Sequence, residues 1–137
     1  MNKKVILLVE AEILIRHPLA EYLRDCGYRV VEAVGAEEAR LVLDRSELAI
    51  EVVLLDVSEA TGGGFALAGW IRDNLPQVDV LRAGTVGGVV DRATCLCHEQ
   101  PDIPRPYDHK FVEERIRRLL AEREQRRQSG KELRRTA

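Results

Sequence analysis

Residues 50–56 read Ile50-Glu51-Val52-Val53-Leu54-Leu55-Asp56, and the order of residue types there decides the fold. Four consecutive apolar side chains, with no polar alternation, suit a strand buried on both faces in a parallel sheet covered by helices. The carboxylate that follows at once marks the strand's carboxyl end. Working outward, Val5-Ile6-Leu7-Leu8-Val9 repeats the pattern and runs into Glu10-Ala11-Glu12. Residues 28–33 and 78–81 supply two more strands, the latter weakened by Asp79, and residues 102–104 supply a short fifth.

Between the strands the apolar spacing becomes helical. Ile15, Leu19, Leu23 and Cys26 recur at intervals of three and four up to Gly27, a natural stop. Pro18 falls inside this pattern, so the helix starts just before it or its first turn is irregular. A short helix from Gly35 places Ala39, Val42 and Leu43 on one face. Residues 65–74 place Leu67, Ala68 and Ile71 inward, and Pro76 ends that helix. Beyond the glycine-rich stretch 84–88, Val89, Ala93, Leu96 and Cys97 mark a fourth helix. The last begins at Asp108, a good N-cap, with Val112, Ile116, Leu119 and Leu120 on one stripe.

Five strands alternating with five helices imply an α/β domain of the doubly wound kind, a five-stranded parallel sheet with helices on both faces. In such sheets ligands bind beyond the carboxyl ends of the strands, at the point where strand order reverses. That rule selects Glu10-Ala11-Glu12, Asp56 with its following loop, and the loop from Ala83 onward.

Composition excludes several function classes. A chain of 137 residues with 45% apolar and 32% charged residues suits one ordinary globular domain. Its net charge of −2 creates no global attraction to nucleic acid or membrane. No apolar run approaches membrane-spanning length, and the first is too short for a signal peptide. Three cysteines, an odd number, suit reduced thiols in the cytoplasm. Cys95 and Cys97 with His98 lack the second cluster that a zinc site needs. Gly62-Gly63-Gly64 lacks the Gly-Lys-Ser/Thr ending of a P-loop and reads as a flexible turn. His17, His98 and His109 are scattered, with no Ser or Cys nucleophile at recognisable spacing. Trp70 reads as cover for the third helix. The stretch from Arg123 to Arg135 is Arg-rich without interleaved aromatics, so nucleic-acid binding is disfavoured.

Over residues 3–124 the chain resembles response-regulator receiver domains of bacterial two-component signalling. The resemblance rests on Val5-Ile6-Leu7-Leu8-Val9-Glu10-Ala11-Glu12, Val53-Leu54-Leu55-Asp56-Val57, Gly64-Phe65 and Arg105-Pro106-Tyr107-Asp108, in matching order and spacing. The stretches 14–28 and 87–99 look most like single-domain regulators. The resemblance implies that Asp56 is a phospho-acceptor and that Mg²⁺ is held weakly by Glu10, Asp56 and the backbone carbonyl of Ser58. Ala11 stands where a second, directly ligating acid is expected. Neither Glu12 nor Glu59 has a geometric reason to replace that acid. Gly84 aligns with the switch hydroxyl, with Thr85 adjacent. Arg105 replaces a lysine, and Asp102 stands at the switch aromatic.

The resemblance assigns a receiver domain to 1–124; the polar, Arg-rich residues 125–137, of low hydropathy, read as a frayed helix end followed by a basic, disordered tail, too short to form an output domain. The chain is then expected to be a non-enzymatic signalling module. It would dock on a sensor histidine kinase or phosphotransfer protein, accept phosphate slowly on Asp56, and act by protein contact, including a homodimer face within 89–120. The alternative is a phosphorylation-independent pseudo-receiver acting as a binding adaptor. A hydrolase built on Asp56 is disfavoured, because Ser58 stands where an acid–base carboxylate is needed.

Overall fold

In the computed structural model the described residues are 3–56, 63–84, 102–104 and 106–136, without the side chains of Ser46 and 131–136. The chain alternates β1 (Val5–Val9), α1 (Ile13–Asp25), β2 (Arg29–Ala33), α2 (Ala36–Leu43), a 3₁₀ turn (Ser46–Leu48), β3 (Val52–Asp56), α3 (Gly64–Asn74) and β4 (Asp79–Gly84). Then come β5 (Ile103–Pro104) and α4 (His109–Thr136). The helix expected from Val89, Ala93, Leu96 and Cys97 lies outside the described residues. Residues 1–107 form one compact unit and residues 108–137 a second.

The strands lie in the order β2-β1-β3-β4-β5, all parallel. Continuous apolar strands give this arrangement because both faces of each must be covered. On one face Leu7, Val9, Val53 and Leu55 pack with Ala39, Leu43, Leu67 and Ile71 from α2 and α3. The alternate residues Ile6, Leu8, Val52 and Leu54 are fully buried on the other face. There α1 lies against β1 and β2 through Leu19 and Leu23. Arg40 of α2 stacks on the Trp70 ring of α3, 4.4 Å from its centroid, so the tryptophan ties helix to helix.

Three local features differ from the sequence reading. Helix α1 starts at Ile13, five residues ahead of Pro18, and keeps the proline inside it. The carbonyl of Leu14 loses its partner there, but Leu14 is 86% exposed and water can replace the bond. Cys26 is exposed; the fourth buried member of the stripe is Arg16, with Leu19, Ala20 and Leu23. Helix α4 runs on to Thr136, where the sequence reading anticipated disorder from Gln125. Its Glu, Arg, Gln and Leu residues are strong helix formers, and Glu124 and Arg127 pair at 3.9 Å.

The start of α4 is as expected. The Asp108 carboxylate accepts the N–H of Phe111 at 3.2 Å, which satisfies an orphan donor of the first turn. Val112 and Ile116 are fully buried on this helix. At the other end of α1, Gly27 has φ of +103°, a left-handed conformation that closes the helix and turns the chain into β2.

Candidate functional site

Strand order reverses between β1 and β3, since the chain leaves β1 to build β2 on one side and β3 on the other. The crevice at a switch point therefore opens where Glu10 and Asp56 stand. Val9 is in register with Leu55, so Glu10 and Asp56 each stand one residue beyond that last pair of neighbouring strands. Asp56, the last residue of β3, aligns with Ala83 and is half-buried.

Glu10 is only 2% exposed. A buried carboxylate is costly unless hydrogen bonds satisfy it, and here one local backbone N–H and one distant side chain supply them. The N–H of Glu12 donates to Glu10 Oε2 at 3.1 Å, and the Tyr107 hydroxyl donates to Oε1 at 3.4 Å. The backbone is held as well. Glu10 N–H donates to the carbonyl of Ala33 at 3.0 Å, and its own carbonyl accepts Arg16 Nη1 at 2.8 Å.

The remaining residues singled out from the sequence divide into two groups. Ala11 is exposed and offers only a methyl group; Glu12 is exposed at the N-cap of α1. Gly84 closes β4, buried and in register with Pro104, and brings no hydroxyl. Asp102 turns its carboxylate to β4, where Oδ2 accepts the N–H of Arg82 at 3.0 Å and lies 3.8 Å from its Nε. It fastens the two-residue β5 to its neighbour. Ser58, Thr85 and Arg105 lie outside the described residues.

Among the described residues no group of three or more His, Cys, Asp or Glu converges to hold a metal ion. Mg²⁺ does not require one, because it keeps several waters and is commonly bound through one or two carboxylates. Glu10 and Asp56 are hard oxygen donors at adjacent strand ends, and Glu10 is pre-positioned. Two such oxygen donors suit a largely hydrated Mg²⁺, and the methyl side chain of Ala11 adds no third carboxylate.

Two residues behind Glu10 escaped the sequence reading. Arg16 is buried, and its Nε meets Glu32 Oε1 at 2.9 Å. Glu32, on β2, also has Arg24 Nη2 at 3.3 Å and His17 Nδ1 at 3.4 Å beside Oε2. Burial pushes the Glu32 carboxyl upward, but hydrogen bonds from Arg16, His17 and Arg24 and the charge of Arg24 outweigh it. They hold the group below its ordinary value of 4.5. The signal in the sequence was an arginine three residues before Leu19, on the inward stripe.

A five-stranded parallel sheet in this order, with an acid just past its first strand and another ending its third, defines a receiver-like α/β domain. No family model matches the chain. It is 34% identical over 121 residues to the probable transcriptional regulator ycf27 of Cyanophora paradoxa, covering 88% of this chain and 49% of that protein. The chain thus spans about half the length of the curated relatives it matches. Among solved structures it is similar to the non-phosphorylated HemR receiver domain of Leptospira biflexa. That match has 29% identity and a TM-score of 0.68, covering 85% of this chain and 93% of that one. It also shares the fold of a CheY-like receiver domain protein from Methanospirillum hungatei, with 20% identity, TM-score 0.73, and coverage of 91% and 99%. The chain thus has the fold of response-regulator receiver domains and is similar to them in sequence. No helix among the described residues is long and apolar enough to cross a membrane.

Proposed function

We propose that this receiver accepts a phosphoryl group on Asp56 from a sensor histidine kinase or phosphotransfer protein, and that Ala11 makes it a slow acceptor. The observation that carries the reading is the placement of half-buried Asp56 beside buried Glu10 at the switch point of the sheet. An Asp56 carboxylate oxygen attacks the phosphorus of a phosphohistidine. An O–P bond forms, the N–P bond breaks, and the histidine nitrogen leaves with its electron pair and takes up a proton. Glu10 and Asp56, with the backbone carbonyl of Ser58, would hold Mg²⁺. Bound there, the cation neutralises charge on the transferring group.

The domain acts as a cytoplasmic signalling module rather than an enzyme, and its output passes through protein contact. A homodimer face within residues 89–120 is part of this proposal. Thr85 and Arg105 are the groups proposed to read the phosphoryl oxygens; Arg105 does so with a planar fork in place of an ammonium.

A second reading, a phosphorylation-independent adaptor, draws on Ala11, whose side chain carries no oxygen, and on Gly84, which fills its strand-end position without a hydroxyl. Intact-mass spectrometry separates the two. The chain is incubated with a small-molecule phosphodonor and Mg²⁺ beside Asp56→Asn. One added phosphoryl group in the parent alone supports the receiver reading. No addition at high Mg²⁺ supports the adaptor, and recovery in Ala11→Asp would then locate the defect in the metal site.

A further inference from the structure

We propose that Arg16 is a positioning residue for Glu10, holding the end of β1 so that the carboxylate stands ready for a divalent cation. The inference rests on the metal reading of Glu10 given above. Arg16 occupies the inward face of α1, where the other buried residues, Leu19, Ala20 and Leu23, are apolar. A guanidinium desolvated in such a place needs full partners. It finds one on β2 and one just past β1. Nε donates to Glu32 Oε1 of β2 at 2.9 Å, and Nη1 donates to the carbonyl of Glu10, just past β1, at 2.8 Å.

The consequence is geometric. The backbone of Glu10 is held on both sides of its Cα, the N–H of the preceding peptide by the Ala33 carbonyl and the carbonyl of the following peptide by Arg16. Turning either peptide would swing the carboxylate away from its Oε2 contact with the Glu12 N–H. Since Ala11 contributes no oxygen, placement of the remaining acid bears more of the metal affinity. Partners that orient a ligating group typically change affinity by about 10–100-fold when removed.

Arg24 provides an internal comparison. It shares Glu32, through Oε2 at 3.3 Å, and donates to the carbonyl of Val30 at 2.9 Å. It also meets Glu21 at 2.6 Å, so its contacts stabilise the same corner away from Glu10.

The test uses the full chain and Mn²⁺ as probe, with free Mn²⁺ followed by electron paramagnetic resonance and folding checked by circular dichroism. Arg16→Lys keeps the charge, but a single ammonium cannot repeat the two-armed contact. It is expected to weaken Mn²⁺ binding about tenfold, while Arg24→Gln stays within about twofold of the parent. Folded Arg16→Lys with parental affinity overturns the clamp, as does Arg24→Gln weakening binding equally. If Arg16→Lys does not fold, the isosteric Glu32→Gln replaces it with the same expected and overturning results. A parent chain that binds no Mn²⁺ overturns the metal reading of Glu10 and this inference with it. Parental binding with unaffected variants overturns the clamp alone.

Discussion

At the scale of single residues, the two carboxylates of the candidate site were legible because each ends an uninterrupted apolar run. What holds them was not. Arg16 and Glu32 meet across sixteen residues of sequence, on a helix and a strand whose register only the folded sheet defines. Tyr107 reaches Glu10 over a far longer separation. Two predictions belong here. Tyr107→Phe leaves a buried carboxylate with one donor fewer and is expected to cost about 1 kcal/mol, since the bond is long; urea unfolding measures it. Glu32 supplies the second. Its folded-state value lies below that of the unfolded chain, so its contribution is present above about pH 4.5 and is lost as pH falls through the folded value. Between pH 5 and 3, the parent should therefore lose stability more steeply than Glu32→Gln. Parallel slopes would show that the Arg16, His17 and Arg24 contacts do not bias this carboxyl.

At the scale of elements, strands were read well because a doubly covered strand must be apolar throughout. Helix starts were read less well. Pro18 suggested a late start for α1, yet the first turn forms ahead of it where the freed carbonyl of Leu14 reaches solvent. Cys26 looked inward by spacing alone, but the helix ends at Asp25 and the thiol falls outside the stripe. The last helix shows the opposite case, in which the cap was legible from one residue. Asp108→Ala removes the side-chain acceptor of the Phe111 N–H and is expected to cost about 1 kcal/mol, while Asp108→Asn keeps most of it. Thermal unfolding of the two variants checks this, and equal losses would mean that the charge, not the hydrogen bond, stabilises the turn.

At the scale of the whole molecule, fold and site chemistry separate. The sheet order and its two-faced core depend on apolar strands that remain complete, so the receiver architecture persists although Ala11 and Gly84 lack the oxygens expected of them. Nothing in the apolar pattern registers that loss, which is why the fold was legible more fully than the activity. The polar end of the chain was misread for a related reason. Low hydropathy argued for disorder, whereas residues 125–136 continue α4 as a helix in which Gln, Arg, Lys, Glu and Leu outnumber the weaker formers Ser129, Gly130 and Thr136. Removing residues 125–137 decides between these descriptions. If the segment is helical, its loss lowers the helical far-ultraviolet dichroism per residue, because a part richer in helix than the average has gone. If it is disordered, the same deletion raises the signal per residue. The expected outcome is the fall; a rise would return the segment to a disordered tail.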